Sequence, residues 1–186
     1  MNPIAVLGAI VALGVLYVAV PVMLDAYRRF RGTRLLTCPE THQPVAIELN
    51  ATHAALRAIA GENQPAVEQC SRWPVHRDCG QECLSQIQDS PDGCRVRTLV
   101  TNWYEGRSCV LCGVRFATMH WLDHRPALWS PEGTVVEWSQ VATETLPQVL
   151  SSHAPLCWNC SVAELFRATN PGLVIDRPAG RAAQHP

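Results

Sequence analysis

The chain has 186 residues and a formal net charge of −1, which allow one domain or two small ones and give no global attraction to nucleic acid. All 15 cationic side chains are arginine, which excludes phosphate-loop lysines, Schiff-base lysines and Ser–Lys dyads. Nine cysteines is a high count for this length, and an odd number cannot be fully paired within one chain.

An uninterrupted apolar run extends from Ile4 to Leu24. At about 1.5 Å per helical residue it is long enough to cross a hydrocarbon core about 30 Å thick. A cleaved signal peptide is the competing interpretation. The absence of Lys or Arg before the run and the poor cleavage site before Pro21 favour a retained membrane anchor.

Four arginines, against the single Asp25, follow the run: Arg28, Arg29, Arg31 and Arg34. Positive flanks stay on the cytoplasmic side of a membrane. We therefore expect one pass through the inner membrane, with the N-terminus outside and the C-terminal body in the cytoplasm. A reducing cytosol disfavours disulfides, so the cysteines there indicate metal binding.

Residues 35–100 form the first predicted soluble module. Apolar side chains alternate from Val45 to Leu49, which is typical of a half-buried strand. Asn50 can cap a short helix over residues 51–60.

A second helix is predicted to begin at Asp78, with Gln81 completing a capping box. On that helix Cys79 and Cys83 would lie one turn apart on one face. The alternation over residues 94–100 predicts a further strand.

The thiols of this module provide a candidate second metal site. We call its best set the N-terminal cluster: Cys38, Cys70, Cys79 and Cys83. The sequence leaves open whether this site exists and whether Cys94 or His76 takes part in it. Cys94, in the predicted strand, is expected to act as a small buried hydrophobe.

The second module carries two Cys-x-x-Cys pairs. The first is Cys109-Val-Leu-Cys112, followed by Gly113, and the second is Cys157-Trp-Asn-Cys160, which leads into a predicted helix. Between the pairs, residues 114–120 and 134–138 are predicted as short strands around a Ser-Pro-Glu-Gly turn. The tight turn in each pair can direct two sulfurs to one ion, and two such pairs complete the tetrahedral four-sulfur site that zinc prefers.

This arrangement resembles the treble-clef group of zinc-binding modules, which have a Cys-x-x-Cys-Gly knuckle, a hairpin and a second Cys-x-x-Cys at the start of a helix. The resemblance covers residues 109–167 and implies four zinc ligands, here called the C-terminal cluster: Cys109, Cys112, Cys157 and Cys160. The whole chain is also similar to membrane-anchored, cysteine-rich bacterial proteins, a resemblance that implies no activity.

Other uses of the cysteines stay open. The c-type haem motif is absent, because neither Cys-x-x-Cys pair is followed by His. An iron–sulfur electron-transfer site uses the same ligands as zinc, so the sequence does not decide between zinc and iron. Thiol–disulfide exchange is the enzymatic alternative, because Cys157 opens a helix whose positive end favours a thiolate.

The sequence therefore predicts an α+β, membrane-anchored structural or interaction protein with one zinc ion, or two if the N-terminal cluster also binds. It would be an accessory subunit or scaffold of a membrane complex, with other membrane-protein subunits as partners, and we do not expect an enzyme. The predicted division is an anchor with a basic flank (1–34), a first cysteine-rich module (35–100), a treble-clef-like module (101–175) and a flexible tail (176–186).

Overall fold

The computed structural model describes residues 2–62, 65–73, 75, 78–117, 119, 121 and 124–173. These residues form helices and two small antiparallel sheets, which confirms the predicted α+β class. The chain divides into two compact units: unit 1 comprises Met1–Asn102 and Ala142–Leu146, and unit 2 comprises Trp103–Val141 and Pro147–Pro186. The four-part division stays a prediction, and its tail at 176–186 lies outside the described residues.

Unit 1 combines a long N-terminal helix with a three-stranded sheet in the order β1-β2-β3. Its elements are α1 (Pro3–Phe30), β1 (Arg34–Thr37), β2 (Pro44–Leu49), α2 (Ala51–Ala58), β3 (Val67–Cys70), α3 (Ser85–Asp89) and most of α4 (Val96–Tyr104). The predicted strand over Val45 to Leu49 is confirmed, and its alternate side chains are buried. The Asn50 side chain caps α2 by accepting a hydrogen bond from the His53 N–H at 2.8 Å.

Helix α1 is long and apolar enough to cross a membrane. It has 28 residues and a mean hydropathy of 2.5 over its best 18-residue window. Its length of about 42 Å exceeds a hydrocarbon core of about 30 Å. Length and composition alone fit a signal sequence as well as a membrane span. The last turns of α1 differ from the rest, because Ala26 and Phe30 are buried and Phe30 belongs to the apolar core of unit 1.

Two arginine side chains cap the C-terminal end of α1. The buried Arg34 guanidinium donates to the carbonyls of Phe30, at 3.1 Å, and Arg29. Arg95 donates to the carbonyls of Arg28, at 2.9 Å, and Arg29. The last carbonyls of a helix lack partners within it and carry partial negative charge, so guanidinium donors stabilise this end. Arg34, one of the four arginines that follow the apolar run, is therefore buried and binds the end of α1.

The predicted strand at residues 94–100 is wrong, because the chain there forms a turn followed by α4. Alternation over so few residues is also compatible with a helix. Val96, Val100 and Tyr104 recur at helical spacing, and the last two are fully buried. Cys94 precedes the helix and is buried in the core of unit 1.

The predicted helix start at Asp78 is also wrong. A 3₁₀ turn over Glu82–Leu84 precedes α3, and Gln81 stands before it in a left-handed conformation with φ 53°. The Gln81 side chain accepts a hydrogen bond from the Val67 N–H at 3.4 Å, so it does not complete a capping box.

Unit 2 contains a second sheet in the order β5-β4-β6. Its elements are β4 (Ala127–Trp129), β5 (Val135–Val136), most of α5 (Leu146–Ser152), β6 (Ala154–Leu156) and α6 (Trp158–Thr169). The predicted turn after residue 129 is present, but the first strand of its hairpin is β4 and not residues 114–120. A short hairpin needs strands that adjoin the turn directly, and β4 leads into it. The described part of 114–120 contributes one isolated bridge, between Ser108 and Arg115.

Replacing Arg34 with methionine should destabilise unit 1. Arg34→Met keeps an apolar stem but leaves the buried Phe30 carbonyl at the end of α1 without its guanidinium donor, which costs about 1–3 kcal/mol in the free energy of unfolding. The measurement is denaturant unfolding of the full chain in detergent micelles. As a matched control, Arg57→Met removes an exposed arginine paired with Glu62 and should cost less than about 1 kcal/mol. Equal stability of the two variants would contradict the capping role.

Candidate metal centre

The first cysteine pair of unit 2 lies in a tight, hydrogen-bonded turn. The Cys109 N–H donates to the Val114 carbonyl and the Gly113 N–H donates to the Cys109 carbonyl, both at 2.9 Å. Gly113 has φ +73°, a left-handed conformation that glycine adopts without steric cost. This turn directs the side chains of Cys109 and Cys112 toward the start of α6.

The second pair lies at the N-terminus of α6. Cys157 is the N-cap residue, in an extended conformation, and Cys160 lies in the first turn. The Cys157 N–H donates to the Cys109 sulfur at 3.3 Å. The Val110 N–H donates to the Pro155 carbonyl at 2.9 Å, which ties the first turn to the strand before α6.

These two elements bring the four sulfurs of the C-terminal cluster together. All four lie within 4.8 Å of one another, and the sulfurs of Cys112 and Cys157 are 3.6 Å apart. A tetrahedral ion with metal–sulfur bonds of about 2.3 Å places its sulfurs about 3.8 Å apart. The arrangement can therefore hold a metal ion, and four thiol ligands match the donor set that zinc accepts.

The cluster also forms one wall of the core of unit 2. Cys109 is 2% exposed and packs with the buried Ala127 and Leu156. Phe116 and Trp129 pack against the same group. Cys112, by contrast, is exposed, so the cluster extends from the core to the surface.

Three thiols of the C-terminal cluster have shifted pKa values, and the shifts differ in direction. Burial raises the pKa of Cys109, but backbone N–H groups of Cys112, Cys157 and Leu111 outweigh it and lower that pKa to about 6. Burial and the neighbouring thiols raise the pKa of Cys160, and burial raises that of Cys157. Cys109 therefore forms a thiolate readily. Ionisation of Cys157 and Cys160 is unfavourable, and a bound cation would favour it.

The four thiols of the N-terminal cluster share one cavity of about 140 Å³. Their sulfurs do not all lie within 4.8 Å of one another; among the residues that the structure describes, the C-terminal cluster meets that criterion. Arg72 Nη1 donates to the Cys38 sulfur at 3.2 Å. The Thr41 hydroxyl is the main cause that lowers the pKa of Cys38 to about 7. Cys94 does not line this cavity, and His76 lies outside the described residues.

Sequence reasoning missed the hydrogen-bond donors around the sulfurs. The backbone donors to Cys109 follow from the Cys-x-x-Cys-Gly turn and could have been expected. Arg72 lies two residues after a predicted ligand, but its partner Cys38 comes from a different strand end. No local pattern indicates that contact.

Comparisons with protein families, with curated proteins and with solved structures find no match for this chain. The site is therefore interpreted from its own geometry.

Metal binding to the C-terminal cluster should release protons at pH 7. Cys157 and Cys160 have raised pKa values and stay protonated there without metal, whereas Cys109, with a pKa of about 6, is already ionised. A metal ligand must be a thiolate, so each ion should displace at least about two protons. Calorimetric titration of the metal-free chain with zinc, in buffers of different ionisation enthalpy, measures this number. Binding without proton release would contradict thiol ligation.

Proposed function

We propose that the chain is a single-pass inner-membrane protein whose C-terminal cluster binds one structural zinc ion in a treble-clef-like unit. Its role would be that of an accessory subunit or scaffold in a membrane complex. The observation that carries the proposal is the convergence of four thiols within 4.8 Å, from one tight turn and one helix start.

The donor set and its surroundings support a structural site. Four cysteines leave no open coordination position for a substrate or water, as a catalytic zinc would need. Among the described residues, the buried group beside the cluster consists of Cys109, Ala127 and Leu156, and a metal would add to the stability that this apolar burial gives.

The continuity of α1 with the rest of unit 1 supports a retained anchor. The apolar segment continues without a break into the turns that bury Ala26 and Phe30. The exposed Arg28, Arg29 and Arg31 follow its apolar part and support a cytoplasmic body under the positive-inside rule.

An interaction role is supported by apolar side chains left at the surface of unit 2. Trp158, Val162 and Phe166 on α6 are 41%, 44% and 51% exposed. Val114, in the turn beside the cluster, is 61% exposed. Apolar side chains grouped on one surface are typical of protein–protein contacts, here with other membrane-protein subunits.

A membrane-tethered thiol–disulfide oxidoreductase is the second candidate. The 3.6 Å separation of the Cys112 and Cys157 sulfurs and the exposure of Cys112 favour it. Thiolates held by zinc react slowly with alkylating reagents until a chelator is added, whereas a redox thiol reacts at once.

Removing a ligand of the C-terminal cluster should unfold unit 2. Cys157→Ser in the full chain should abolish metal binding and the cooperative melting of this unit, because metal binding and folding are coupled at such sites. Protease resistance and tryptophan fluorescence, each with and without chelator, measure the loss. The matched control is Cys94→Ala, which removes a buried thiol outside the cluster and should leave unit 2 intact. A cooperatively folded Cys157→Ser protein with fast alkylation of the wild type would favour the oxidoreductase.

The orientation can be tested with reporters fused to the C-terminus of the full chain. A fluorescent protein that matures only in the cytoplasm should be bright, and a phosphatase active only outside it should be inactive, because the arginines that follow the apolar part of α1 retain that end inside. The opposite pair of results would place the cysteines in an oxidising compartment and contradict the zinc proposal.

A further inference from the structure

The sheet of unit 1 gathers cysteines that are far apart in sequence. Cys38 follows β1 directly, and Cys70 ends β3. Both strands pair with β2, where Ile47 lies opposite Cys70. Two of the four thiols of the N-terminal cluster are thus placed by the backbone ladder of one sheet.

Side-chain hydrogen bonds hold the other two thiols beside this sheet. The Gln86 amide, one turn after Cys83, accepts from the Thr37 N–H at 3.1 Å and donates to the Thr37 carbonyl at 2.6 Å. Gln81, between Cys79 and Cys83, accepts from the N–H of Val67 at the start of β3. The Cys79–Cys83 segment is therefore fastened to both strands that carry the first two thiols.

The cavity between these elements is partly buried and rich in thiols. The Cys38, Cys70 and Cys83 side chains pack against the apolar core of unit 1, and Val45 lines the same cavity. Thiols from the ends of two strands and from the segment before α3 therefore converge on one partly buried cavity.

Arg72 supplies a positive charge at the cavity. Its Nη1 donates to the Cys38 sulfur at 3.2 Å and to the Thr41 hydroxyl at 2.9 Å, which fixes the guanidinium beside the thiol. A divalent ion held by four thiolates carries a net charge of −2, and a guanidinium donor to one sulfur offsets part of it.

We infer that the N-terminal cluster is a second metal site, at which Cys38, Cys70, Cys79 and Cys83 bind a divalent thiophilic ion of the zinc class and Arg72 acts as a positioning residue. This goes beyond the proposed function, which needs only the C-terminal cluster. The sulfurs are spaced more widely than in the C-terminal cluster, so binding requires them to move closer together. The ion would then brace β1, the strand whose Arg34 caps the membrane helix.

The test is cadmium-113 NMR of the full chain in micelles, after the metal-free protein is loaded with cadmium-113. The wild type should give two signals, each in the range of four-thiolate sites. Cys79→Ser/Cys83→Ser should remove one signal, Cys157→Ser should remove the other, and the control Cys94→Ala should keep both. A wild type with one signal, which Cys157→Ser removes, would overturn this inference and leave the proposed function standing.

A second variant distinguishes a loss of metal binding from a misfolded unit 1. Arg72→Gln leaves all nine thiols in place and should weaken metal binding at the N-terminal cluster about 10-fold, while the C-terminal cluster keeps its affinity. Competition with a chromophoric chelator measures both affinities. Unchanged affinity at both clusters would overturn the role of Arg72, and two signals that survive Cys79→Ser/Cys83→Ser would overturn the assignment of the ligands.

Discussion

The core of unit 2 is built against four sulfur atoms that lie within 4.8 Å of one another. Cys109 is buried among apolar side chains, yet three backbone N–H groups favour its thiolate. Burial raises the pKa of Cys157 and of Cys160, and the neighbouring thiols add to this effect. We propose that a cation at the centre stabilises every thiolate at once, and that the fold of the turn at Cys109 and the position of α6 both depend on this interaction.

A different interaction governs the start of the chain. The last carbonyls of a helix lack partners within it, and at the end of α1 these accept hydrogen bonds from Arg34 and Arg95. The buried Phe30 continues the helix into the core of the unit. The long apolar helix α1 and the rest of unit 1 are thus one continuous structure.

The sequence was informative where a local rule determines the outcome. The alternation from Val45 to Leu49, the Asn50 cap and the helix after Cys157 each follow from residues within one turn or strand. The predictions from sequence were wrong where tertiary contacts determine the local structure. Gln81 fits a capping box, but its side chain binds Val67 instead. Residues 94–100 alternate like a strand, yet form a helix that buries Val100. The convergence of Cys109 with Cys157 could be expected from motif spacing; the contact between Arg72 and Cys38 could not.

X-ray absorption at the metal edge tests the central claim most directly, on the full chain purified without chelator. The account predicts a zinc edge whose first shell contains sulfur only, at about 2.3 Å, with about four sulfurs per ion. A protein free of metal with Cys112 joined to Cys157 by a disulfide would contradict it. A shell of mixed nitrogen and sulfur ligands would contradict the four-thiol site, and an iron edge would make the chain an electron carrier instead of a zinc protein.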